Sequence, residues 1–306
     1  MRIAVTGAGG RLGRALVGAL EDAPFTGLHG PIAWSRAEFD LDAPESFGPL
    51  LDRERPELVI HAAAWTDVDG CAREPDVALA RNGAATAALA AACAERGLDL
   101  VVISTNEVFD GARTDGAGYR PDDETRPANA YGWSKLHGED AARAALAGSA
   151  GRVGIVRTSW LFGPGKPDFP AKIIEAARSA AERGEPLRAV GDEFGSPTYV
   201  ADLADAVVEL IEADAFADPP IHHAVNGGFT SRAGWARDVA QRAGIDIPVE
   251  EIRAGTWQRA SVPPRWGVLE PTPLPSGVPL RAWRDAMADY APTLVRKLGP
   301  RSGTRS

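Results

Sequence analysis

Tyr131-Gly-Trp-Ser-Lys135 sets a phenol and an amine four residues apart in a stretch that reads as a helix. Asn129 is a suitable N-cap, and the helix is expected to run through Leu146 to a stop at Gly148. An i, i+4 spacing puts both groups on one face, a turn apart. An ammonium in that position favours the tyrosinate and is expected to draw the phenol from about 10 toward neutrality. A phenol tuned in this way can hand a proton to a carbonyl oxygen, acid catalysis worth roughly 10² to 10⁴ in rate. By itself the spacing is common, and an exposed helical pair would satisfy it equally.

Thr6-Gly7-Ala8-Gly9-Gly10-Arg11-Leu12-Gly13 follows an apolar run, Arg2–Thr6, and opens a helix expected to reach about Leu20. Glycines at 7, 10 and 13 allow a tight turn, close approach of backbone to a pyrophosphate, and close packing of helix on strand. Arg11 and Leu12 lie inside this turn. The helix N-terminus adds unpaired N–H groups and a partial positive charge. A triphosphate-binding loop would need Gly-Lys-Ser/Thr, and Gly13-Arg14-Ala15 does not supply it. The expected ligand is therefore a dinucleotide. After the next apolar run, Pro31–Trp34, come Ser35 and Arg36 instead of an acid. A hydroxyl and a guanidinium suit a 2′-phosphate, so NADP(H) is favoured over NAD(H), with Arg11 as a further contact.

The elements that must position these groups repeat as strand, helix, strand. Further strands are expected at Leu58–His61, Leu100–Ser104 and Val153–Arg157, with a helix from about Pro75 to Arg96. Continuous apolar runs alternating with helices imply an α/β fold, a doubly wound Rossmann-type parallel sheet covered on both faces. Ser104-Thr105-Asn106 then falls at a carboxyl edge, where ligands bind in such sheets, and a hydroxyl there could share a carbonyl oxygen with Tyr131. The second half is less regular. Pro263, Pro264, Pro271, Pro273, Pro275 and Pro279 imply loops before a last helix near Arg281 that ends before Gly299.

Composition narrows the function classes. The 306 residues carry a net charge of −9 and no long basic run, which disfavours nucleic-acid and acidic-membrane binding. Two cysteines, Cys71 and Cys93, argue against a disulfide framework or a zinc cluster. No stretch reads as long and apolar enough to cross a bilayer, and Met1 runs directly into a strand, so a cytoplasmic protein is expected. His61 reads as fixing a loop, and His222 and His223, adjacent in an expected strand Ile221–Val225, point to opposite faces and read as structural.

These residues resemble the extended short-chain dehydrogenase/reductases and, within them, the dTDP-4-dehydrorhamnose reductase family, over nearly the whole chain. Asp40-Leu41 is similar to the family's adenine-touching pair, and Ala62-Ala63-Ala64 to the small-residue loop beside the cofactor. Asn82, Val108-Phe109-Asp110-Gly111, Arg157-Thr158-Ser159-Trp160 and the block Asp192-x-x-Gly195-x-Pro197-Thr198 with Asp202-Leu203-Ala204 also match, as does Pro279-Leu280-Arg281-x-Trp283-Arg284. The resemblance implies catalysis by Thr105, Tyr131 and Lys135, with Thr66, Val68, Glu107 and Trp160 toward a nucleotide-sugar substrate. It implies NADPH-dependent reduction of a 4-keto-6-deoxy sugar, with dTDP-4-dehydro-L-rhamnose foremost. Asn106-Glu107 stands where these reductases have Asp-Tyr, so a reductase of another deoxysugar is the alternative enzyme. A 4,6-dehydratase would need an acid at 106. A regulatory subunit that senses NADP is the non-enzyme alternative. Some relatives form a metal-bridged dimer through an acid in the first helix, where this chain has Ala15, so no metal is expected and a homodimer stays open. The expected division is a cofactor domain at 1–160 plus about 196–226, a substrate domain at about 161–195 and 227–298, and a tail at 299–306.

Overall fold

The computed structural model describes residues 1–256 and 258–299; beyond Gly299, the expected tail lies outside the described residues. Six strands form the central sheet: β1 Ile3–Thr6, β2 Ile32–Trp34, β3 Leu58–His61, β4 Asp99–Thr105, β5 Val153–Thr158 and β6 Ile221–His223. Their order is β6-β5-β4-β3-β1-β2, every pair parallel, with Thr6 beside His61 and Thr105 beside Thr158. The chain leaves β1 toward β2 on one side and returns to β3 on the other. That reversal opens a crevice at the carboxyl ends of β1 and β3, where such sheets bind ligands.

Alternate strand residues feed two separate cores, because side chains on a strand alternate between faces. On one face Ile3, Val5, Leu58, Ile60, Val101, Ile103 and Val156 pack with Leu12, Leu16 and Leu20 of α1 (Arg11–Glu21). On the other, Ala4, Val59, Leu100, Val102 and Ile155 meet α2 (Phe47–Glu54) and two longer helices. Between them in sequence lies the short α3 (Val68–Arg73). The first long helix, α4, spans Pro75–Arg96 and contains a π-helical turn at Leu79–Ala84. By length and composition α4 could cross a bilayer, contrary to the sequence expectation, but here Leu89, Ala90 and Cys93 sit in the core against the sheet. The second, α5 (Ala130–Leu146), starts where expected: Asn129 Oδ1 accepts from Gly132 N at 2.9 Å.

The second half is more regular than its prolines suggest. Three helices unread in the sequence occur there: α6 Phe169–Glu182, α7 Val200–Glu212 and α8 Arg232–Arg242; α9 follows at Trp283–Leu298. Helix α7 covers the sheet beside α1, through Leu203, Val207 and Leu210. Helices α6, α8 and α9 enclose a core of their own around Ile174, Trp235, Val239, Met287 and Leu294. Asp168 and Ser231 cap α6 and α8 by accepting from Ala171 N and Gly234 N. The proline-rich stretch has one short strand, Trp266–Gly267, which pairs with Phe194–Gly195. Strand β6 ends at His223, two residues short of the expected Val225.

Candidate active site

The glycine turn closes the crevice from below. Gly7 has φ +67°, and a Cβ there would lie 2.9 Å from the Ala63 backbone, so the turn and the loop after β3 share one contact surface. A Cβ on Gly13 would sit 2.1 Å from the Gly7 carbonyl oxygen, so α1 packs this closely only with glycine. Gly10 caps α1 with no side-chain hydrogen bond, and no acid lies in its first turn. The helix thus presents N–H groups and its positive end to the crevice, which fits a pyrophosphate. The loop Ala62-Ala63-Ala64 is tied down by Ala63 N donating to Thr6 Oγ1 at 3.1 Å. Leu12 is buried under the turn.

Arg11, expected as a phosphate contact, has protein partners in the structure. Its guanidinium pairs with Asp168 at 3.2 Å and donates to the carbonyls of Gly163 and Lys166, binding α1 to the loop before α6. Beyond β2, Ser35 and Arg36 are present as expected, with Arg36 exposed and 3.9 Å from Asp40. Unforeseen is Glu38, whose carboxylate accepts from both Ser35 N and Ser35 Oγ, and these bonds pull its pKa down. Leu41 packs partly buried on the sheet core, and the neighbouring Asp42 is held by Arg81 at 2.6 Å.

At the end of β4, Thr105 Oγ1 accepts from Glu107 N at 3.2 Å, donates to Asn106 Oδ1 at 3.3 Å and lies near enough to the Tyr131 side chain to act on it. Helix α5 reaches this strand end through Gly132, where a Cβ would lie 2.0 Å from the Glu107 carbonyl oxygen. Lys135, one turn on, is 2% exposed. The two groups share a helix face, but the expected fall of the phenol pKa does not occur. Burial pushes Tyr131 up, the charge on Glu107 adds to that, and only the Thr105 side chain opposes it. Burial also brings Lys135 down to about 8, against the pull of Glu139. Desolvation outweighs the helical pairing, so the phenol stays protonated, a proton donor.

A third residue extends the Tyr131–Lys135 stripe. Glu139, one turn on, takes a bidentate pair from Arg157 (Nη2 to Oε2 2.7 Å, Nε to both oxygens 3.1 Å) and the Ser104 hydroxyl. Both partners are almost wholly buried, and they lock β4, β5 and α5 together under the site. Asn82, in the π-helical turn, accepts from Trp65 N at 2.7 Å and donates to Trp65 O and Ser134 Oγ. It therefore sets the loop carrying exposed Thr66 and half-buried Val68 against α5.

Glu107 and Trp160 lie on the side facing the α6–α8–α9 core. Glu107 Oε2 accepts from Asn129 Nδ2 at 2.5 Å; burial raises its pKa while Asn129 and Arg232 oppose. Asn106 is buried and donates to Gly267 O at 3.0 Å, a bond an aspartate could not make. Trp160 adopts φ +46°, stacks on Trp235 and carries the Arg232 guanidinium 3.6 Å from its ring centroid. A Cβ on Gly195 would strike this ring at 2.5 Å.

Other candidate groups are occupied. His61 bridges Thr6 and Thr86 at 2.9 and 3.1 Å, and burial drops it to about 3. His223, also lowered to about 3 by burial, and His222 bond to the carbonyls of Tyr119 and Ala215. Cys71 and Cys93 are buried thiols, pushed up to about 11 and 12 by desolvation. Among the described residues no cluster of three or more His, Cys, Asp or Glu is placed to hold a metal ion.

The family model described as RmlD substrate binding domain matches residues 1–295. A dTDP-4-dehydrorhamnose reductase of Streptomyces griseus is 36% identical over 302 residues, covering 96% of this chain and 94% of that protein. The crystal structure of a dTDP-4-dehydrorhamnose reductase from Clostridium acetobutylicum superposes with a TM-score of 0.85 at 30% identity, over 96% of this chain and 99% of the other. A reductase of the same name from Bacillus anthracis, solved in complex with NADP, gives 0.83 at 28% identity, over 94% and 98%. With the glycine turn, the Thr105–Tyr131–Lys135 grouping and the Trp160 corner all present in one parallel α/β fold, the chain belongs to the dTDP-4-dehydrorhamnose reductase family of extended short-chain dehydrogenase/reductases.

Proposed function

We propose that this protein uses NADPH to reduce the C4 carbonyl of a dTDP-linked 4-keto-6-deoxy sugar, foremost dTDP-4-dehydro-L-rhamnose to dTDP-L-rhamnose. The observation that carries the reading is the convergence of the Thr105 hydroxyl and the protonated Tyr131 phenol at the sheet's carboxyl edge. The glycine turn and α1 N-terminus would hold the pyrophosphate, with Ser35 and Arg36 at the adenosine phosphate, Asp40 and Leu41 along the adenine side, and Ala62 to Ala64 beneath. Bound there, NADPH supplies hydride to the carbonyl carbon. Tyr131 donates its proton to the oxygen, Thr105 orients that oxygen, and the Lys135 ammonium holds the ribose and favours the tyrosinate left behind. Thr66, Val68, Glu107 and Trp160 would line the sugar side. We also propose the division into a cofactor domain and a substrate domain built on the α6–α8–α9 core, and a cytoplasmic setting, consistent with two free thiols.

The direct test is oxidation of NADPH with dTDP-4-dehydro-L-rhamnose, followed by identification of the sugar and its C4 configuration. Asn106-Glu107 favours one second reading, reduction of a different dTDP-4-keto sugar; turnover of that sugar with none of the rhamnose precursor would establish it.

Two further outcomes are expected. Because Lys135 sits near 8, kcat/KM should fall as pH rises through about 8, when the free enzyme loses the ammonium. A flat profile from pH 7 to 9.5 would remove Lys135 from this role. Glu38 occupies Ser35, and its negative charge opposes a 2′-phosphate. Glu38→Ala should therefore tighten NADPH about threefold or more and leave NADH within about twofold, read by fluorescence titration. Equal effects on both cofactors would disprove the assignment of Ser35 to the phosphate.

A further inference from the structure

Glu193 is a largely buried carboxylate to which no described residue donates a hydrogen bond. It precedes the short strand Phe194–Gly195 and is 5% exposed. Its nearest cation is Arg232, with Nε 3.9 Å away, and among the described residues none donates a hydrogen bond to its carboxylate. Its oxygens are not among the fully enclosed atoms that lack a partner, so they keep an opening through which the donors of a ligand can reach them.

The surroundings identify the ligand side. Arg232 feels both Glu193 and Glu107, and its guanidinium is fixed over the Trp160 ring. Glu107 in turn feels Glu193 and acts on the Tyr131 phenol. The backbone joins the same groups: Gly195 pairs with Gly267, whose carbonyl accepts from Asn106 next to Thr105, and Arg232 N donates to Glu193 O at 3.1 Å. Carboxylates only accept hydrogen bonds, so they repel a phosphate and match the hydroxyls of a sugar ring. Burial pushes Glu193 up while Arg232 and Arg259 pull it down, and hydroxyl donors would complete the stabilisation of its ionised form.

We propose that Glu193, with Glu107 across Arg232, accepts hydrogen bonds from ring hydroxyls beside the carbonyl that is reduced, and so selects hydroxylated sugars over deoxygenated ones. This rests on the reductase reading above and adds a specificity-determining residue that the sequence motifs do not mark.

The test compares the wild-type protein with Glu193→Ala and Glu193→Gln on dTDP-4-dehydro-L-rhamnose and on analogues lacking the C2 or the C3 hydroxyl. Wild type should prefer the full sugar over one of these analogues by about 10- to 100-fold in kcat/KM, the scale of a hydrogen bond to a charged group. Glu193→Ala should remove most of that preference, raising KM for the full sugar while changing that analogue by no more than about threefold. Glu193→Gln, which keeps the shape and one acceptor, should fall between and carries the comparison if the alanine variant does not fold. NADPH affinity should stay at the wild-type value in both. Equal losses on all three sugars, or no loss on any, would overturn the proposal while leaving the reductase reading standing. A folded wild-type protein that binds NADPH but reduces none of them would sink both.

Discussion

Tyr131→Phe should lower kcat by roughly 10² to 10⁴ while leaving NADPH affinity within about twofold. In the proposed reaction the phenol gives up the proton, and burial together with the Glu107 charge keeps it protonated. Phenylalanine keeps the ring but loses the hydroxyl. The proton moves only in the transition state, so the loss should fall on kcat and not on KM. Thr105→Val should show the same pattern with a smaller loss, since it removes an orienting group and not the proton. Stopped-flow measurement of NADPH oxidation under single turnover isolates the chemical step. Retention of kcat within about threefold in Tyr131→Phe would assign the proton to another group.

Arg157→Ala should destabilise the fold by about 3–5 kcal/mol, because it strands Glu139 as an unpaired buried charge. Glu139 is 1% and Arg157 3% exposed, and the pair is bidentate with the Ser104 hydroxyl alongside. For a chain of this size that loss corresponds to a fall in melting temperature of roughly 10 °C, measurable by calorimetry. Replacing both partners with apolar residues, Arg157→Met with Glu139→Leu, should recover much of the stability, since no charge is then left buried. The same double variant should lower activity, because the pair holds β4 and β5 against the helix bearing Tyr131 and Lys135. A loss below about 1 kcal/mol in Arg157→Ala would mean that water reaches Glu139 in solution.

Much of the sheet was legible in advance. Leu58–His61 is the strand expected, and the strands at 3–6, 32–34, 99–105 and 153–158 differ from expectation by a residue or two at their ends. Buried parallel strands are continuous apolar runs, and that signal is local. Helices α6 to α8 were not read. The caps of α6 and α8, Asp168 and Ser231, are single side chains in an irregular stretch; the apolar faces of these two helices meet each other and α9, while that of α7 meets the sheet beside α1. The prolines after Pro263 did mark a region poor in regular structure.

The site divides along the same line. Arg11 read as a phosphate contact from its place in the turn, yet Asp168, which captures it, lies 157 residues further on. Glu38 is three residues from Ser35, but only the folded turn brings its carboxylate onto the serine. Glu193 and Arg232 belong to separate segments with no shared motif, and the fold joins them over Trp160.

From sequence alone came the features that depend on neighbours within a turn of chain. These are the glycines that let α1 approach β1, the face shared by Tyr131 and Lys135, and the hydroxyl at the end of β4. Tertiary structure alone decided the charge states and partners: that the phenol is raised and not lowered, that Arg11 pairs with a distant loop, and that among the described residues none donates to the Glu193 carboxylate. Sterics and helical spacing act over a few residues, whereas desolvation and through-space fields are set by whichever distant segments the fold packs around a group.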